Sequence, residues 1–187
     1  MVNSIFIIRY KIFEKDIEEL KNLDTEEILR EYDSIYGWFS ISLNNSSYLL
    51  YPSRNEKELQ ELRGLSEIIS IHFSHLIQAY KYLQKSEIKY IENSNTWLEI
   101  VKHNDLLNIS ELSYPITKGM NIIEQDKNLF KSAEKSEIIN EIVYWEQFED
   151  EIRLKTNKFV SELEAINPIL LKIPYYSDIV EFVKVGS

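Results

Sequence analysis

Hydrophobic and polar positions alternate from the start of the chain. Phe6, Ile8, Tyr10 and Ile12 fall on one side, with Arg9 and Lys11 on the other. This is the period of a half-buried strand and predicts one over residues 4–13. The same period returns in YGWFSISLNNSSYLLYP, where Phe39, Ile41 and Leu43 alternate with Ser40 and Ser42. Asn44, Asn45, Ser46 and Ser47 then supply turn chemistry before Tyr48 to Tyr51 return, so the segment reads as a β-hairpin. On this alternation Trp38 and Phe39 point to opposite sides, so an inward Phe39 leaves Trp38 facing outward.

The period changes over residues 65–85. At 100° per residue Leu65, Ile69, His72, Leu76, Ala79 and Leu83 share a stripe opposite Glu67, Ser74, Lys81 and Lys85, which predicts an amphipathic helix. Three short strand patterns follow, IKYIE, TWLEIVKH and LLNISEL, separated by Asn93-Ser94-Asn95 and Asn104-Asp105 as the turns of an antiparallel meander. Between Tyr144 and Asn167 a second helical stripe gathers Trp145, Phe148, Ile152, Phe159, Leu163 and Ile166, and Asn167-Pro168 ends it. Residues 115–137 carry Pro115, Gly119 and mixed charges, consistent with a loop or a short helix. Strand runs broken by two long helices, rather than regular βαβ alternation, predict an α+β fold: an antiparallel sheet of N-terminal strand, hairpin and C-terminal meander, covered by the two helices. A length of 187 residues without repeats or Pro/Gly/Ser-rich linkers predicts a single domain over 1–187.

Charge sharpens this picture. The chain carries a formal net charge of −10. The stretch EKDIEELKNLDTEEILREYD, residues 14–33, concentrates it: nine acids and three bases give this stretch alone −6. Within it, Asp24 followed three residues later by Glu27 is a capping-box start for a short helix carrying Ile28 and Leu29 inward. A pI near 4.9 argues against direct nucleic-acid binding, where affinity rests on Lys and Arg at phosphates, and favours a basic partner. With no cysteine there is no disulfide framework, thiolate nucleophile or cysteine-bound metal. No apolar run reaches the ~18 residues that span a bilayer, and no basic n-region precedes a leader-like core, so the expected compartment is the cytoplasm and membrane docking is not expected. Abundant Ile, Lys and Asn beside only three alanines suggest an AT-rich coding sequence, as in a low-GC bacterium.

Motifs for catalysis are sparse. His72 and His75 stand at i, i+3, a spacing that offers two imidazoles to one metal, yet two ligands are not a site and neither has an acid at i±4. Packing or buried hydrogen bonding is the expected role of both, and His103 is expected solvated at a hairpin turn. The four glycines form neither GxSxG nor a phosphate-cradling loop. Paired carboxylates are uninformative among 31 acids. The expectation is a non-enzymatic chain with no cofactor and no metal.

The solvated-face explanation of the acidic stretch competes with a docking one. Tyr32, Tyr36 and Trp38 follow it directly, and acids beside large aromatics steer a basic partner and then anchor it. The candidate partner-binding residues are Glu18, Glu19, Glu26, Glu27, Glu31, Asp33, Tyr36 and Trp38. The sequences NSNTWLEIVKHNDLLNISEL and EIVYWEQFEDEIRLKTNKFVSELEAINP, within residues 88–168, resemble the C-terminal half of small acidic bacterial immunity proteins of polymorphic toxin systems, in which a strand meander precedes a helix opening W-x-x-F, here Trp145 and Phe148. The resemblance implies a cytoplasmic protein that binds and neutralises one cognate toxin, a basic domain, without catalysis. Two other readings stand beside it: an acidic regulator that mimics nucleic acid, and a carboxylate-dependent enzyme or small-ligand domain.

Overall fold

The alternating N-terminal segment forms a strand. In the computed structural model, which describes residues 4–31, 34–49, 51–52, 66–85, 88–93, 96–115, 120 and 123–185, strand β1 runs Phe6–Ile12 and buries Phe6, Ile8, Tyr10 and Ile12 as the pattern predicts. Two short helices follow, α1 (Glu14–Leu20) and α2 (Thr25–Glu31), then β2 (Tyr36–Leu43), β3 (Ser46–Tyr48) and the two-residue β4 (Glu67–Ile68). Among the described residues these strands form a four-stranded sheet in the order β1-β2-β3, with β4 paired to β2. Asn44 turns the hairpin at φ 50°, a left-handed conformation that asparagine tolerates better than most residues. Near the start of β2 a Cβ on Gly37 would stand 2.1 Å from the Lys11 carbonyl oxygen, so only glycine admits this approach of the two strands.

The meander forms a second antiparallel sheet, made of β5 (Ile88–Asn93), β6 (Thr96–His103), β7 (Leu106–Ser113), β8 (Ile123–Glu124), β9 (Glu134–Lys135) and β10 (Glu141–Tyr144). Its order is β10-β7-β6-β5-β8, with β9 paired to β7. Asn104, at φ 54°, makes the expected β6–β7 turn; in the preceding turn Ser94 and Asn95 lie outside the described residues. The strands thus divide between two sheets, and the helix Ile69–Leu83 lies between them in sequence, interrupting the run of short turns that would extend a single sheet. Residues 115–137, expected as loop or short helix, contain β8, a 3-10 turn at Lys127–Phe130 and β9.

The chain groups into two compact units, each drawn from separated stretches: Met1–Ile7, Ser42–Tyr48 and Gln78–Asp150 in the first, Ile8–Ile41, Leu49–Ile77 and Glu151–Ser187 in the second. The two predicted helices are α3 (Ile69–Leu83) and α4 (Trp145–Ile166), each divided between the units; in the second unit Phe73 of α3 and Phe159 of α4 bring their rings onto Tyr10 of β1 and Phe39 of β2. Phe73 stacks on Phe159 at 4.8 Å, both stand edge-on to Tyr10 at 5.2 and 5.7 Å, and Phe73 is also edge-on to Phe39. Each such side chain taken fully out of water contributes about 1.5–3 kcal/mol. On the α4 stripe Phe148, Ile152, Phe159 and Leu163 are buried, while Trp145 and Ile166 are half-buried. Thr156 interrupts that apolar stripe, its hydroxyl buried and without a hydrogen-bond partner among the described residues. Glu151, further up α4, turns its carboxylate to the Ile8 N–H at 2.8 Å.

In the first unit Tyr90, Trp97, Leu112 and Phe130 form a core cluster. Tyr80 stacks on Trp145 at 5.5 Å, and the Lys102 ammonium lies 3.6 Å from the centre of the Trp145 ring while donating to the Leu83 carbonyl. Asn167-Pro168 ends α4 as expected, with the Asn167 side chain accepting the Ile169 N–H. Beyond it two 3-10 turns, Pro168–Lys172 and Pro174–Tyr176, lead to α5 (Ser177–Val185), which buries Ile179 and Phe182. This tail, together with β4 and β10, is not predicted by the sequence patterns. Among the described residues no helix is long and apolar enough to cross a membrane.

Candidate docking face on the acidic helices

The acidic stretch folds as two short helices rather than one. At the start of α2 the Asp24 carboxylate accepts the N–H groups of Glu26 (2.9 Å) and Glu27 (3.0 Å), and the Glu27 carboxylate accepts the Asp24 N–H at 3.0 Å. This is the predicted capping box, closed reciprocally. Acids in the first turns, Glu14 and Asp16 in α1 and Glu26 and Glu27 in α2, also complement the positive ends of the helix dipoles. Leu20 and Ile28 are buried beneath the pair. The turn between the helices is held from outside: buried Asn167 donates through Nδ2 to the carbonyls of Leu20 at 2.9 Å and Leu23 at 3.0 Å. The last carbonyl of α1 and one in the turn after it thus gain a side-chain partner, and the α1–α2 connection is tied to the residue that ends α4.

The candidate residues divide on this scaffold. Glu18 and Glu26 are exposed. Glu19 is half-buried and pairs with Lys15 one turn back at 3.4 Å. Glu27 is half-buried and its carboxylate is committed to the capping box. Glu31 is the last residue of α2, with its side chain outside the described residues, as is Asp33 altogether. Tyr36, the first residue of β2, is 44% exposed. Trp38 corrects the expectation: it is 1% exposed, with Phe13 edge-on to its indole at 5.2 Å. Alternation does place Trp38 and Phe39 on opposite sides of β2, but both sides are covered, and burial is unbroken from Gly37 to Ile41. Trp38 belongs to the core and is not a surface anchor.

The histidines take structural roles. His72 Nε2 lies 2.8 Å from the Glu67 carboxylate in β4, and its ring stacks on Phe39 at 4.6 Å. The acid partner stands five residues back, beyond the i±4 positions considered from sequence. Burial in the first place, and the neighbouring His72 in the second, push the His75 imidazole down to about 4. Among the described residues no group of three or more His, Asp or Glu side chains is placed to hold a metal ion. His103 is exposed at the end of β6, as expected. Sequence patterning missed Asn167 as the residue that holds the acidic helices; an asparagine before proline reads only as a helix stop.

Comparison with protein-family models, curated proteins and solved structures returns no match.

Proposed function

We propose that the chain is a non-enzymatic protein-binding protein of the immunity type, whose acidic helical pair meets a basic toxin domain and covers its working surface. The observation that carries this reading is the exposure of Glu18 and Glu26 in helices fixed by a capping box and by Asn167, together with the exposed ring of Tyr36 at the start of β2. A face held in place before the encounter loses little conformational freedom on binding. Its charge accelerates encounter with a cationic surface, and the tyrosine supplies a compact amphipathic contact that slows release. Trp38, buried against Phe13, supports β2 rather than touching the partner.

Binding kinetics against the product of the neighbouring gene, at two salt concentrations, test the proposal. Charge reversal by Glu18→Lys and Glu26→Lys should slow association and flatten its salt dependence, because steering between exposed charges is screened over about 10 Å at 0.1 M salt. Tyr36→Ala should instead speed dissociation, by roughly tenfold or more for a hot-spot aromatic. Unchanged rates in all three variants, or capture only of nucleic-acid-binding proteins, would overturn it.

A further inference from the structure

Away from the acidic helices, the first unit holds a cavity of unlike character. About 340 Å³ in volume, it is lined by Tyr90, Glu99, Leu112, Lys127, Phe130, Lys131, Ala133 and Lys135. Strand pairing builds it: Tyr90 of β5 lies opposite Glu99 of β6, and Lys135 of β9 lies opposite Leu112 of β7. The 3-10 turn Lys127–Phe130 closes one side, its start capped by Asp126, which accepts the Asn128 N–H at 2.8 Å. Phe130 is locked in place, stacked on Tyr90 at 4.0 Å and met edge-on by Trp97 at 4.9 Å. The floor is therefore rigid and apolar, and the rim is cationic.

Among the described residues the one carboxylate in the lining, that of Glu99, is already engaged. Tyr90, its phenol pushed up by burial and by Glu99, donates to the Glu99 carboxylate, and the Lys135 ammonium stands 3.9 Å from the same group. Lys135 is further held by Asn140 Oδ1 at 2.5 Å and Ser110 Oγ at 3.1 Å. Glu99 is paired with Lys135, and the lining adds the ammonium groups of Lys127 and Lys131, with the Asp126 carboxylate at the start of the turn also acting on Tyr90. Small-ligand sites combine an apolar wall with a few convergent polar groups in cavities of about 300–1,000 Å³. Lysine ammoniums act as point charges toward phosphate and carboxylate.

From this geometry we infer a binding site for a compact organic anion: an apolar or aromatic body against Phe130, Leu112 and Ala133, and its anionic group between Lys127 and Lys131. The proposal is independent of the docking face, since none of these residues lies on the acidic helices.

Calorimetric titration with phenyl phosphate, and in parallel with inorganic phosphate, tests it on the intact chain. Phenyl phosphate should bind saturably at one site. Inorganic phosphate, which has the charge and lacks the ring, should bind about tenfold more weakly or not at all. The pair Lys127→Gln and Lys131→Gln, both at exposed positions, should weaken phenyl phosphate by about tenfold or more while leaving the circular dichroism spectrum unchanged. If phenyl phosphate gives no saturable heat, if the double variant binds it as well as the native chain, or if inorganic phosphate binds equally, the site assignment fails.

Discussion

Replacing Thr156 with valine should make the protein more stable, which runs against the usual outcome of a point substitution. Thr156 is fully buried in the apolar stripe of α4, one turn from Ile152 and from Phe159 and two turns from Leu163, and its hydroxyl has no hydrogen-bond partner among the described residues. A buried hydroxyl without a partner costs about 1–3 kcal/mol. Valine keeps the branched outline, exchanges the hydroxyl for a methyl group, and has nearly the same helix propensity as threonine. The expected gain is about 1–2 kcal/mol, or about 2–8 °C in melting temperature for a chain of this length. Thr156→Ser is the counterpart: it keeps the hydroxyl, removes the methyl and should cost about 1 kcal/mol. Urea unfolding followed by tryptophan fluorescence and by far-ultraviolet circular dichroism gives the free energies, provided the two transitions coincide. If valine lowered stability by about 1 kcal/mol or more, the hydroxyl would be bonding the carbonyl a turn back, and the reasoning would be refuted.

Two further outcomes are expected. Gly37→Ala should destabilise by about 3 kcal/mol or more, because the new methyl meets a backbone oxygen at 2.1 Å and the buried Ile69 side chain at 2.5 Å, and β1 cannot yield without leaving β2; a denaturation midpoint equal to the native one would contradict the close approach. For His75, the folded value of about 4 lies below the ordinary 6.5, so between these pH values the unfolded chain binds a proton that the native fold refuses. Stability should therefore fall as pH drops from 6.5 to 4, by on the order of 3 kcal/mol from this group. His75→Gln should lose that part of the slope, and identical pH profiles for the two chains would refute it.

The parts of the fold visible in the sequence are those where one face meets water and the other does not. β1, the three meander strands and the stripes of α3 and α4 alternate with their own period, and each stands within a few residues of its predicted bounds. Trp38 shows where such reasoning stops: alternation tells on which side of a strand a residue lies, but not what is packed there, and Phe13 covers that side of β2. The tail beyond Pro168 carried no long period, because two proline-led 3-10 turns precede a helix of only nine residues. β4 and β10, two and four residues long, fall below the length at which a period can be read. At the acidic face the capping box was legible, since its partners stand three residues apart. The exclusion of Glu27 from the free surface follows from that same box. The cavity was not legible: Lys127, Lys131 and Lys135 recur every four residues, but Tyr90, Glu99 and Leu112 reach it from three strands whose pairing only the fold supplies.

The bond from Glu151 to the Ile8 N–H bears on how the molecule behaves when crowded. β1 is the end strand of its sheet among the described residues; its outward Ile7 and the preceding Ile5 are both more than one-third exposed. An end strand with unfilled amides and apolar side chains is a template on which a second chain can add. Here the amide midway along β1 is already bonded to a carboxylate, which is steadied by Lys155 at 3.6 Å. An incoming strand must evict a carboxylate acceptor and leave it without its amide, a larger demand than displacing water. The same helix that fills the sheet's interior with rings therefore also occupies one amide of its margin, so a second chain adding along β1 must first displace this carboxylate.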